Sequence, residues 1–271
     1  MEQVAFQGER GAFSEDAATK LFGRDIDLLP CARLRDVFEA VAENKVGFGV
    51  VPVENSQAGS INETYDLLLI YSLNIFAEVI LKISHCLMAL PGEDLTGIEI
   101  IYSHPQALAQ CEEFLSGLRA EIVPTYDTAG SAKMIAERQL KGCAAVASRE
   151  AASRYALEIL APEIETNVNN YTRFLAISKR KAEPAEKNKT SLVFAAKHVP
   201  GALYRILGTF ATRNINLTKL ESRPSKDRPW EYVFYTDFEG HLDSEIYQDA
   251  MKELQEQATF VKVLGSYPKA G

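Results

Sequence analysis

The sequence predicts an α/β protein in two parts: a two-lobed domain of alternating strands and helices, then a small βαββαβ unit. Three observations carry this reading. Short apolar runs alternate with amphipathic stretches of helical spacing, twice over, across residues 3–177. A charged run containing proline, KRKAEPAEKNK at 179–189, interrupts the pattern. Beyond it the signals come in the order strand, helix, strand, strand, helix, strand, a ferredoxin-like arrangement.

The elements follow in order. Residues 3–6 read as a strand. Gly8 and Gly11 follow in a turn, Ser14 sits where a helix N-cap belongs, and Glu15 and Asp16 fall in the first turn. Ala17, Ala18, Leu21 and Phe22 give that helix an apolar face, and Gly23 ends it. Leu34, Val37, Phe38, Val41 and Ala42 mark a second helix, and 48–53 a buried strand. Ser60-Ile61-Asn62-Glu63 has the form of a capping box, opening a helix with Ile61, Tyr65, Leu68 and Leu69 on one face. A long apolar strand is expected at 83–90.

The same grammar then repeats. A strand at 98–102 leads into Ser103-His104-Pro105, with proline suited to the first helical position. Leu108, Cys111, Phe114 and Leu115 face inward. A short strand ends near Val123, and Asp127 caps a helix carrying Ala132, Ile135, Ala136 and Leu140. The strand 143–147 runs into Ser148, another cap, and 171–177 returns to the sheet. This alternation implies largely parallel sheets and two lobes with a cleft, where ligands bind beyond the strand C-termini. The first domain is expected at 1–180, with lobe one at about 1–80 and 160–180 and lobe two at about 81–159. With 179–189 as linker, the second domain covers 190–271: strands at 191–196, 215–223, 232–238 and 260–264, and two helices bearing Leu203, Ile206, Leu207 and Phe210, then Ile246, Ala250 and Leu254.

Composition sets the outer limits. The 271 residues suffice for two domains, and 46% apolar with 24% charged residues suits a soluble globular chain. A net charge of -8 argues against broad contact with nucleic acid. No apolar run reaches membrane-spanning length, and the start Met1-Glu2-Gln3 shows no basic-then-apolar signal, so the cytoplasm is the default compartment. Cys31, Cys86, Cys111 and Cys143 show no Cys-x-x-Cys spacing and read as buried thiols, and His85, His104, His198 and His241 show no metal-ligand spacing. No metal is expected.

Five polar segments fall at expected strand ends: 8–15, 52–56 continuing to Gly59-Ser60, 103–106, 127–131 and 170–174. Together they offer hydroxyls, amides, helix N-termini and one arginine, which suits a small carboxylate. Each has two readings. Ser14, Ser60, Ser103 and Asp127 are helix caps or ligand contacts. Glu54 is a general acid or a loop carboxylate. His104 is a proton donor or a structural residue at a helix start. Arg173 lies inside an apolar strand, where a buried charge needs an anionic partner, either an internal carboxylate or a substrate. No nucleophile elbow, phosphate loop or dinucleotide fingerprint is present.

The segment 8–15, Pro52-Val53-Glu54-Asn55-Ser56, Ser103-His104-Pro105 and above all Thr172-Arg173-Phe174 resemble motifs of the prephenate dehydratases, in the same order. Gly201-Ala202-Leu203 and Glu221-Ser222-Arg223-Pro224 resemble segments of that family's ACT domain; Tyr204 departs from it, standing where a smaller aliphatic residue is expected. The resemblance implies a periplasmic-binding-protein-like catalytic domain that turns prephenate into phenylpyruvate, losing carbon dioxide and water without a cofactor. It implies that Thr172 hydrogen-bonds the leaving hydroxyl, Arg173 holds a carboxylate, and Phe174 packs the strand. Glu54 is the alternative proton donor. Asn55, Ser56, Ser103 and Thr128 orient the substrate, with Ser14 and Ser60 beside them. The ACT domain implies feedback by phenylalanine at a pair interface, through Gly201, Ala202, Leu203, Asn214, Asn216, Leu217, Glu221 and Ser222, in a homodimer or homotetramer. Two alternatives stand beside this: an arogenate dehydratase, and a carboxylate sensor without catalysis.

Overall fold

The structure, a computed structural model, describes residues 2–225 and 232–270. The chain opens with β1 (Glu2–Gln7), α1 (Phe13–Phe22), β2 (Ile26–Cys31), α2 (Leu34–Ala42), β3 (Phe48–Asn55), β4 (Gly59–Ser60), α3 (Asn62–Ile70) and β5 (Asn74–Lys82). It continues with β6 (Cys86–Ala89), β7 (Ile100–Ser103), α4 (Pro105–Gln110), α5 (Glu112–Ser116), β8 (Glu121–Pro124), α6 (Thr128–Arg138), β9 (Cys143–Ala147), α7 (Arg149–Arg154) and β10 (Glu158–Ala161). Then come β11 (Tyr171–Ser178), β12 (Asn188–Ala196), α8 (Ala202–Ala211), β13 (Leu217–Pro224), β14 (Tyr232–Glu239), α9 (Glu245–Gln257) and β15 (Ala258–Pro268).

The first sheet has the order β2-β1-β3-β11-β5, with β4 on β3; the second has β10-β6-β9-β7-β8. The two share a plan. In one, β1 pairs in parallel with β2 and β3; in the other, β7 pairs in parallel with β8 and β9. Parallel neighbours need a crossover, and α1, α2, α4 and α6 supply it. β3 and β9, buried along most of their length, are the apolar runs read from sequence. The core of the second sheet gathers Leu87, Ile101, Leu108, Cys111, Ala144 and Val146.

The chain divides into two compact units. One takes residues 1–64 and 79–174; the other takes 65–78 and 175–271. The second unit holds the sheet β13-β14-β12-β15. One face of it, through Leu192, Phe194 and Phe238, packs on Ile206 and Phe210 of α8 and Leu254 of α9. Register places Val193, Tyr235 and Lys262 on the opposite face. There they meet the 65–78 segment. The Tyr235 and Tyr65 rings lie 4.8 Å apart, and the Tyr235 hydroxyl donates to the Tyr65 carbonyl at 3.1 Å. Lys262 Nζ donates to the carbonyls of Leu68, Leu69 and Tyr71 at 2.9, 2.8 and 2.8 Å. Lys189 Nζ stands 2.8 Å from Glu78 Oε1, both buried.

Several local expectations are corrected. The strand expected at 83–90 is shorter, β6 at Cys86–Ala89, and β5 at Asn74–Lys82 precedes it where no strand was expected. Ser14 lies inside α1, whose N-cap is Ala12 without a side-chain cap bond. Ser60 pairs in β4 with Glu54, and α3 starts two residues later at Asn62. Ser103 ends β7 and donates to the Val146 carbonyl at 2.6 Å; the cap of α4 is His104. Asp127 and Ser148 do cap α6 and α7. Lys189, expected in the linker, is a buried residue of β12. Among the described residues no helix is long and apolar enough to cross a membrane.

Candidate active site

A cavity of about 180 Å³ opens within the first unit. The loops that follow strands line it, as the fold requires. Gln7 comes from the end of β1 and Asn55 from the end of β3. Phe13 and Ser14 open α1, Gln106 and Ala107 open α4, and Thr128 opens α6. Thr172 and Phe174 of β11 enter from one side, and His85 and Gln110 close another. The N-termini of α1 and α6 bring partial positive charge to this space.

A chain of amides holds Thr172. Asn55 Nδ2 donates to Thr172 Oγ1 at 2.9 Å and to Asn170 Oδ1 at 2.8 Å. Asn55 Oδ1 accepts from the backbone amides of Gln57 and Ala58, both at 2.9 Å, which fixes the amide's orientation. Asn170 Nδ2 donates to Gln110 Oε1 at 3.0 Å, and His85 Nε2 lies 3.0 Å from the same oxygen. That oxygen only accepts, so His85 carries its proton on Nε2. Burial pushes the His85 pKa down, against the opposing bond to Gln110, so the ring is neutral. Its Nδ1 is buried with no partner among the described residues. Phe13 meets the ring edge-on at 5.6 Å. Because Thr172 Oγ1 accepts from Asn55, its own proton is left to donate toward the cavity.

The sequence-predicted residues divide. Ser14, Asn55, Thr128, Thr172 and Phe174 line the cavity. Glu54, Ser56, Ser60, Ser103 and Arg173 are not among the lining residues. Strand alternation explains Arg173: Thr172 and Phe174 face the cavity, so the residue between them faces away. Its guanidinium stands 3.8 Å from Glu54 Oε2. Of the two partners considered for this arginine, the geometry supplies the internal carboxylate. Ser56 Oγ accepts from the Tyr171 amide at 2.9 Å and donates to the Asn169 carbonyl at 3.0 Å, tying β3 to the chain entering β11. Asp127, read as a cap or a ligand contact, and His104 also line the cavity, and Asn170 belongs to the fifth polar segment; His85 and Gln110 were not singled out as site residues. His85 and Gln110 carry no local signal, since only the tertiary fold brings a helix-end glutamine beside a histidine 25 residues earlier.

The second unit has its own hollow of about 550 Å³, lined by Gly201, Ala202 and Leu203 together with His198, Tyr204 and Tyr232. Gly201 takes φ +76° at the start of α8, a conformation suited to glycine. Tyr204 is 80% exposed there, so the bulk that departs from the family's pattern stands at the hollow's rim. Asn214, Asn216, Leu217, Glu221 and Ser222 do not line this hollow. Leu217 lines another, with Leu207, Phe210 and Ile215. Asn214 adopts φ +54° in a turn, and Asn216 Nδ2 donates to Glu239 at 3.0 Å.

A two-sheet α/β domain with a hollow lined by amides and hydroxyls, followed by a βαββαβ unit with a second hollow, defines a small-molecule enzyme carrying a ligand-sensing module. The chain belongs to the prephenate dehydratase family: the model of that name matches residues 4–182, and that of the ACT domain matches 190–256. It is 44% identical to arogenate dehydratase/prephenate dehydratase 2 of Arabidopsis thaliana, over 98% of this chain and 72% of that protein. A prephenate dehydratase from Arthrobacter aurescens, solved in complex with L-Phe, is 30% identical with a TM-score of 0.89, over 98% of this chain and 90% of that one. A further solved chain, GqqA, described as a novel type of quorum quenching acylase, is 34% identical with a TM-score of 0.88, over 98% and 97%.

Proposed function

We propose that this chain converts prephenate to phenylpyruvate and that L-phenylalanine binding at its ACT domain controls the rate. The observation that carries the catalytic reading is the Thr172 hydroxyl, held by Asn55 with its proton left for a ligand in the cavity. An alcohol is too weak an acid to give up that proton outright. It stabilises the ring hydroxyl by a hydrogen bond as it departs as hydroxide, which takes a proton from solvent to become water. Loss of the hydroxyl draws electrons from the ring carboxylate, which leaves as carbon dioxide, and the ring becomes aromatic. Among the described residues that line the cavity there is no lysine or arginine. That suits the step: a cation on the departing carboxylate would favour the ground state over the transition state. The substrate's charge is met instead by the first-turn amides of α1 and α6 and by Gln106, Ser14 and Thr128.

Arg173 and Glu54 support the site from behind, holding β11 to β3. Gly201 to Leu203 receive the effector, with Asn214 to Leu217, Glu221 and Ser222 contributed across a pair of ACT units. The free thiols suit the reducing cytoplasm. Mixing purified protein with prephenate and following phenylpyruvate, with phenylalanine titrated in parallel, tests this reading. Turnover that phenylalanine suppresses supports it. No turnover of prephenate or arogenate, with release of acid from an N-acyl substrate, would move the chain to the acylase chemistry of its other relative.

A further inference from the structure

The cavity carries a carboxylate in its wall. Among the described residues lining it, Asp127 is the only acidic one. It is buried and held in place: Oδ1 accepts from the Gly130 amide at 2.6 Å, and a Cβ placed on Gly8 would stand only 2.9 Å from Oδ2. The neighbouring acid, Glu9, is already engaged, with Lys133 Nζ 2.9 Å from one oxygen and the Tyr126 hydroxyl 3.2 Å from the other. Burial pushes the Asp127 carboxyl up, with the Glu9 charge adding to it, while the backbone amides of Gly130 and Glu9 and the nearby His104 hold it down.

A pocket built only for a dianion has no use for a carboxylate in its wall. We infer that Asp127 sets substrate selectivity, favouring the amino-acid form, arogenate, over the keto acid, prephenate. The inference rests on the dehydratase reading above. The two substrates differ at one carbon: arogenate carries an ammonium where prephenate carries a ketone, beside the same carboxylate. With that carboxylate on the first-turn amides of α6, the adjacent ammonium falls beside the helix cap, which is Asp127. A carboxylate has about four lone-pair sites, so two backbone amides leave it able to accept from an ammonium. The ketone offers no donor, and prephenate's extra net negative charge is repelled. Selectivity is thus built from an attraction to one substrate and a repulsion of the other.

The test is kcat/KM for both substrates in the full-length protein and in Asp127→Asn and Asp127→Ser. Both replacements cap helices well, so α6 keeps its N-cap bond. The wild type should favour arogenate, and in both variants the arogenate-to-prephenate ratio should fall by about tenfold or more, the size of one charge-assisted contact. The loss should come through arogenate KM and be accompanied by a gain on prephenate. A ratio unchanged in the variants, with both substrates declining together, would reduce Asp127 to a structural cap and overturn the proposal; so would failure of both variants to fold. A wild type inert toward both substrates would sink the dehydratase reading itself, whereas turnover of both with a ratio indifferent to Asp127 sinks only this inference.

Discussion

Thr172 and Arg173 are neighbours in sequence and differ in surroundings, and substitutions should separate them. Thr172→Ala should lower kcat by about 10²–10³, the usual cost of a lost transition-state donor, while KM changes little. Steady-state kinetics on prephenate and arogenate checks this; near-normal turnover would make the residue structural. Arg173→Lys should leave KM near wild type and lower stability, because the fork that faces Glu54 is lost. A large KM rise without loss of stability would return Arg173 to the substrate. Asp16 behaves differently. Burial, then the charges of Glu150 and Glu15, raises its pKa to about 6, against the pull of Arg154. The native state therefore holds this proton more tightly than the unfolded chain. Between the ordinary carboxyl range and pH 6 stability falls as pH rises, and above that window the ionised group remains a cost. Asp16→Asn should stabilise the protein by about 1 kcal/mol near pH 7.5, allowing for partial solvent screening, and by less at pH 5. Denaturant midpoints at the two pH values measure it. The sequence disclosed the residues that sit in motifs, such as Asn55 and Thr172. It did not disclose His85 or Gln110, whose roles come from hydrogen bonds formed only after folding.

Strands with both faces buried, β3 and β9, were legible because burial on both sides favours an unbroken apolar run, seen at 48–53 and 143–147 before the polar Glu54 and Asn55 end β3. β2 and β10 were not, because as edge strands they are half exposed and show little alternation. β5 was missed because its apolar residues run into those of 83–90 without a turn signal. The expected βαββαβ order was right, but nothing in it announced that the second face of that sheet would be covered by 65–78. Lys262→Met tests that contact. It removes the donor from the carbonyls of Leu68, Leu69 and Tyr71, whose polar oxygens then lose their partner. The expected cost is about 1–3 kcal/mol, with faster amide exchange confined to 65–78. Gly265 belongs to the same contact: a Cβ there would come within 2.4 Å of the Ile75 carbonyl, so Gly265→Ala should destabilise more than an exposed glycine replacement.

The two compact units are not cut apart by one break in the chain, since the second takes 65–78 from inside the first. Ending the chain near residue 180 should therefore give a fragment that no longer responds to phenylalanine but is less stable than the whole, with Tyr65, Leu68 and Ile75 stripped of their packing. Thermal unfolding and phenylalanine titration of fragment and full-length protein check both halves; a fragment still inhibited as before would place the effector site in the catalytic domain. The shared plan of the two α/β sheets has a consequence for synthesis. Every strand of the second sheet lies in one continuous stretch, from β6 to β10. The first sheet needs β11 between β3 and β5, and β11 is made only after that stretch is finished. As the chain leaves the ribosome, the sheet encoded second can thus close before the sheet encoded first. Until β11 arrives, β3 lacks its neighbour, and nascent chains should be protected from protease across 86–161 while 1–64 is still cut.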